Sequence, residues 1–294
     1  MSSAVATSDI TAKRAELEEY LTSLGSVLVA YSGGVDSTFL AATAHRALGS
    51  KALAVTVDVA AVPERMVEDA CRVAADIGIA HEVLSCDQLA FPNFCRNSAQ
   101  RCYHCKKAIL QRLTAMAEQH GIATVIEGSN TDDLDDYRPG RAAVKEANVK
   151  SPLLEKGWTK KQIREASREL GLATADMPAY ACLASRIPYG EEITAHKLRQ
   201  VDAVEHCLEQ FGLVPARARH HGDTVRIELA DEAHQAALLG SEIRQAVTST
   251  AKRVGFTYVT VDLEPYRSGR LNDGLASGGP SSTSAPSKEA SPDD

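Results

Sequence analysis

Residues 28–38 read LVAYSGGVDST, a short apolar run that breaks into two glycines bracketed by serines. The run has the character of a strand buried on both faces. Gly33 and Gly34 let the backbone turn tightly, so that successive amide N–H groups converge on an anion. Ser32 and Ser37 add hydroxyl donors, and a helix expected from about 37 to 48 contributes the positive end of its dipole. No GxxxxGK[ST] loop occurs, and Asp36 stands where a phosphate-binding loop usually keeps a lysine. A carboxylate does not attract phosphate directly. Asp36 is suited to orienting the loop or to holding a Mg²⁺ that bridges phosphates.

Outward from this loop the elements alternate. A helix (about 8–23) precedes the first strand, KALAVTVDVA (51–60) follows as a second buried strand, and PERMVEDACRVAADIG (63–78) has helical spacing. AHEVLS is a third strand, CYHCKKAILQRLTAMAEQHG a long helix, and IATVIEGSN a fourth strand ending in a turn. WTKKQIREASRELGL is a helix with Thr159 as its cap. This order predicts an α/β fold, a doubly wound parallel sheet whose ligand lies at the strands' carboxyl ends. YSGGVDS and EGSNTDD both fall at such ends and are expected to face one pocket. The first domain is assigned to residues 1–187 and a smaller α+β domain to 188–271, with helices near 194–211 and 231–246. Residues 272–294, rich in Ser, Pro, Gly and charge, read as a disordered tail.

The formal net charge is −7, of which the tail supplies −3 through four acids and one lysine, leaving a mildly acidic body. That balance argues against broad nucleic-acid binding. No apolar run reaches the roughly 20 residues that span a bilayer, and the N-terminus lacks the basic and apolar regions of a signal peptide. A cytoplasmic location is expected. Seven irregularly spaced cysteines fit reduced thiols better than a disulfide framework.

The hexapeptide SGGVDS resembles the pyrophosphate-loop motif of the PP-loop ATP pyrophosphatases, enzymes that split ATP into AMP and pyrophosphate. RCYHCKKAIL (101–110), EGSNTDDLDDYRPGRAA (127–143) and PAYACLASRIPYGEEIT (178–194) are similar to the ATP-dependent sacrificial sulfur transferases of the LarE family. The resemblance covers most of residues 10–270 and implies ATP and Mg²⁺ as requirements. It implies that a carboxylate of a pyridinium dicarboxylate mononucleotide is adenylated and attacked by Cys182, giving a thioester and then a thiocarboxylate, in nickel-pincer nucleotide biosynthesis. From the residues themselves, Arg186, four positions after Cys182, is expected to lower the thiol's pKa.

By the same resemblance Ser185 and Arg186 contact the substrate phosphate, and Arg217, Arg219 and Glu228 line a face that closes over the mononucleotide. Ser32, Gly33, Gly34, Asp36 and Ser37 bind ATP, with Asp132 and Arg138 as further contacts. Asp135 and Asp136 read as a solvated charge run, and His220-His221 as a polar turn. Cys102 and Cys105 form a C-x-x-C pair that leaves two rival routes open, a [4Fe-4S] cluster on Cys102, Cys105 and Cys182 or a persulfide relay through them. A tRNA thiolase, an amide synthetase and a non-catalytic nucleotide-binding protein are the competing classes. A small nucleotide is the expected partner, with self-association into a homo-oligomer.

Overall fold

The computed structural model describes residues 2–134, 140–178, 180–267 and 269–272. Arg138, Asp135, Asp136 and the tail from residue 273 therefore lie outside the described residues.

The first half runs α1 (Ser2–Ser23), β1 (Val27–Ala30), α2 (Val35–Leu48), β2 (Ala52–Asp58), α3 (Glu64–Ile77) and β3 (Ala80–Ser85). It continues with α4 (Pro92–Cys95), α5 (Arg101–Gln119), β4 (Thr124–Ile126), α6 (Gly140–Glu146), α7 (Pro152–Glu155) and α8 (Lys160–Glu169). The four strands form one parallel sheet in the order β3-β2-β1-β4. Side chains alternate across it as a pleat demands. Val27, Val29, Ala52 and Ala54 enter one core with residues of α1, α2, α3 and α8. Leu28, Leu53 and Val55 enter the opposite core with α5 and α6. Both faces are covered, which is why β1 is apolar throughout and β2 is apolar inside except for the buried Thr56.

The second unit consists of α9 (Ala195–Gln210), β5 (Ala216–His221), β6 (Thr224–Leu229), α10 (Glu232–Leu239), α11 (Ser241–Arg253) and β7 (Tyr258–Val261). Its sheet has the order β5-β6-β7, with β5 antiparallel and β7 parallel to β6. The single helix expected over 231–246 is instead two, broken at Gly240, where a Cβ would come within 3.0 Å of the Ala237 carbonyl oxygen. The core of this unit also takes in Ala61, Phe94, Leu183, Ala184 and Ile187. The Cys182 segment is thereby packed between the two sheets' territories.

Candidate active site

The glycine loop is shorter than its motif. α2 already starts at Val35, so Asp36 and Ser37 sit on its first turn, and only Tyr31 to Gly34 link strand to helix. Gly33 has φ +71°, and a Cβ there would lie 2.9 Å from the Ala70 Cβ of α3. Ser37 is buried and braces the turn: its Oγ donates to the Gly34 carbonyl at 3.1 Å and accepts from the Ser32 N–H at 3.2 Å. The turn after β4 closes on the same helix end, because a Cβ on Gly128 would come within 3.1 Å of the Ser37 nitrogen. The two strand-end motifs therefore meet at one place.

The lysine missing from the loop arrives from elsewhere. Thr159 caps α8 with a full capping box, as its sequence predicts. Lys160, the first residue of that helix, points its Nζ at Asp36 Oδ2, 2.6 Å away. Its backbone N–H donates to Asp132 Oδ2 at 3.2 Å. Asp36 Oδ1 is buried with no hydrogen-bond partner. Burial pushes the Asp36 carboxyl above its ordinary pKa despite the ion pair with Lys160, and Asp133 adds to the effect. Sequence reading missed Lys160 because 124 positions separate it from Asp36.

A cleft of about 920 Å³ starts at Ser32, Gly33, Gly34 and Asp36, passes Asp132 and Lys160, and reaches Cys182 and Arg217. Cys182 is exposed by accessible surface yet flanked by protein. Accessibility governs its encounter with a ligand, and enclosure governs its ionisation. Desolvation raises the thiol pKa, outweighing the Ala184 N–H and the guanidinium groups of Arg101 and Arg186 that act in the opposite sense. The expectation that Arg186 makes Cys182 a ready thiolate is thus corrected for the ligand-free protein.

Arg186 itself is wholly buried and does not line the cleft. Nε and Nη2 form a two-point pair with Glu205, each at 2.7 Å. Nη1 donates to the carbonyls of Ala181 at 2.9 Å and Cys182 at 3.3 Å and to Ser185 Oγ at 2.8 Å. Two more buried arginines hold the same strap: Arg101 donates to the Ala184 carbonyl at 3.0 Å, and Arg219 to the Ser185 carbonyl at 2.9 Å. Arg101 is fixed in turn by a short bond to Asn97 Oδ1. Arg186, expected on the substrate phosphate, is instead turned inward and fastens the segment that carries the thiol, with the half-buried Ser185 among its acceptors.

Of the three residues assigned to the second unit, only Arg217 faces the cleft. It lies over the Tyr266 ring at 4.6 Å. Arg219 and Glu228 are a buried ion pair at 2.7 Å, and the other oxygen of Glu228 accepts from Arg226 at 3.2 Å, so both residues are engaged within the protein. Cys102 is exposed, while Cys105 is enclosed, accepts from Gln88 Nε2 at 2.9 Å, and has its pKa pushed up to about 12 by desolvation. Among the described residues no group of three or more His, Cys, Asp or Glu side chains is arranged to hold a metal ion, while the three thiols are near neighbours: Cys102 and Cys182 both disfavour the Cys105 thiolate, and Cys102 disfavours that of Cys182. Nor is any helix among those residues long and apolar enough to cross a membrane.

A doubly wound parallel sheet with S-G-G-x-D-S at the end of its first strand defines a PP-loop ATP pyrophosphatase, an ATP-dependent enzyme. A family model for NAD synthase matches residues 10–151. An uncharacterised protein of Synechocystis sp., slr1717, is 43% identical over 264 residues, covering 90% of this chain and 98% of that one. The pyridinium-3,5-bisthiocarboxylic acid mononucleotide synthase of Lactiplantibacillus plantarum is 34% identical over 269 residues, 90% of this chain and 96% of the synthase. The uncharacterised MJ0830 of Methanocaldococcus jannaschii is 28% identical over 82% of this chain and 91% of its own length. Within the PP-loop enzymes, this chain belongs to the LarE family.

Proposed function

We propose that this enzyme adenylates a carboxylate of a pyridinium-3,5-dicarboxylate mononucleotide and converts it to a thiocarboxylate with the sulfur of Cys182, in nickel-pincer nucleotide biosynthesis. The observation that carries the reading is that Cys182 opens into the same cleft as the glycine loop. The substrate class rests on similarity to the synthase named above.

The carboxylate oxygen attacks the α-phosphorus of ATP and pyrophosphate leaves, turning a poor leaving group into AMP. The loop amides between Ser32 and Ser37 and the N-terminus of α2 face the departing phosphates. Lys160, free to exchange Asp36 for a phosphate oxygen, supplies the positive charge that the loop lacks. The orphaned Asp36 Oδ1 suits a Mg²⁺ ligand, and the ion would neutralise charge on the phosphates. Arg217 offers its guanidinium to an anionic group of the mononucleotide. Cys182, having given its proton to solvent, attacks the acyl carbon and expels AMP. Loss of the Cys182 Cα proton and cleavage of Cβ–S, with the electron pair going to sulfur, release the thiocarboxylate and leave dehydroalanine.

Intact-protein mass spectrometry after incubation with ATP, Mg²⁺ and substrate tests this. A loss of about 34 Da at Cys182, the mass of H₂S, is expected. Thiocarboxylate formed without any such loss would refute the sacrificial step and favour a persulfide or [4Fe-4S] route through Cys102, Cys105 and Cys182.

A further inference from the structure

The carbonyl oxygen of Cys182 receives two hydrogen-bond donors, one of them a buried guanidinium. The Ser185 N–H donates to it at 2.9 Å, the ordinary bond of the helical turn that follows. Arg186 Nη1 adds a second donor at 3.3 Å. Nη1 carries two hydrogens and has three acceptors within reach, the others being the Ala181 carbonyl and Ser185 Oγ. Its bond to Cys182 is the longest of the three and is shared. Such a donor is weakly engaged with a neutral carbonyl and free to tighten on one that gains charge, which is the differential binding that accelerates a step. Glu205 fixes the guanidinium plane from the far side through two bonds, so the donor is held beside the Cys182 carbonyl.

Resting on the sulfur-donor reading above, we infer that the Ser185 N–H and Arg186 form an oxyanion hole for Cys182's own peptide carbonyl, making Arg186 a catalytic residue of the elimination step. When the Cα proton of Cys182 leaves to water or hydroxide in the open cleft, the electron pair it leaves behind delocalises onto that carbonyl oxygen as an enolate. The two donors stabilise this charge. The enolate then collapses, the Cα–Cβ double bond forms, and the Cβ–S pair departs with the thiocarboxylate. No oxidant or reductant is needed. Arg186 thus acts on the enzyme's backbone as the substrate of the second half-reaction.

Two variants test the inference: Arg186→Lys, and the neutral pair Arg186→Gln/Glu205→Gln, which leaves no buried charge unpaired. In single turnover, both should form the covalent thioester adduct but convert it to dehydroalanine about 100-fold more slowly, the usual loss on removing one oxyanion donor. A second measurement needs neither ATP nor substrate. Cys102 and Cys182 are both exposed and can be converted to S-dinitrophenyl derivatives, which eliminate in base. In the wild type, loss of the dinitrophenylthiolate should be at least about 10-fold faster at 182 than at 102, and the variants should abolish the difference. Equal elimination at the two positions in the wild type would overturn the inference whatever the enzyme's reaction. Faster elimination at 182, together with turnover that leaves no dehydroalanine, would uphold the oxyanion hole and overturn the sulfur-donor reading instead.

Discussion

Gly33→Ala tests how tightly the phosphate loop is built into the fold. Gly33 has φ +71°, a region costing a non-glycine residue about 1–2 kcal/mol. The added methyl would also stand 2.9 Å from Ala70 Cβ and 3.0 Å from its Cα, both on α3. Overpacking of that kind costs about 1–3 kcal/mol, and a stiffer unfolded chain aggravates nothing, since it returns about 0.4–1 kcal/mol. The net loss is about 2–4 kcal/mol, or roughly 5–15 °C in melting temperature for a chain of this size. Gly34→Ala is the internal control: its φ is −78°, and the nearest atom to a Cβ is Ser32 Oγ at 3.4 Å. It should stay within about 1 kcal/mol of the wild type. Thermal melts with and without ATP, followed by pyrophosphate release, read both effects. If the loop swings away to relieve Gly33→Ala, stability recovers but pyrophosphate release collapses. A Gly33→Ala protein matching the wild type in both assays would refute the argument.

Cys182→Ala should still release pyrophosphate from ATP and substrate while forming no thiocarboxylate, as product analysis will show. Lys160→Met should raise the KM for ATP about 10- to 100-fold, the range for losing a charge-assisted bond to phosphate. Asp36→Asn should stabilise the ligand-free protein above about pH 4, the ordinary aspartate range. Burial raises the folded-state pKa of Asp36, so its penalty is absent while it is protonated and grows as pH climbs through that pKa. A stability gap between the two proteins that does not widen from pH 4 to 7 would contradict this. Alkylation of Cys182, tracked by peptide mapping against pH, should have its midpoint above that of an ordinary cysteine, because desolvation disfavours the thiolate.

The parts of the molecule legible in the sequence are those set by local chemistry. The alternation of Val27, Leu28 and Val29 between two cores follows from the pleat, and the Thr159 capping box from residues three apart. Joining SGGVDS to EGSN was also legible, because both follow strands of one parallel sheet. What escaped are side chains whose partners lie far along the chain. Arg186 is charged and follows the thiol, so it reads as a ligand contact until Glu205 on α9 is seen to claim it. Arg219 and Glu228 are likewise a surface-like charge pattern that the β5–β6 pairing buries. Lys160 carried no local sign of its target, and nothing local to Gly240 announced the extended backbone, ψ 144°, that divides the helix expected over 231–246.

The strap that carries Cys182 owes its anchorage to Leu183, Ala184 and Ile187, all buried, whereas Cys182 itself is reached from the cleft. Losing the Cys182 sulfur would leave the strap's apolar anchors in place, at the cost of the hydrogen bond it accepts from the Ala184 N–H. A spent molecule should therefore stay folded and keep its nucleotide cleft. It would linger as a folded competitor for ATP and substrate, invisible to any quality control that senses unfolding and detectable only by its missing mass.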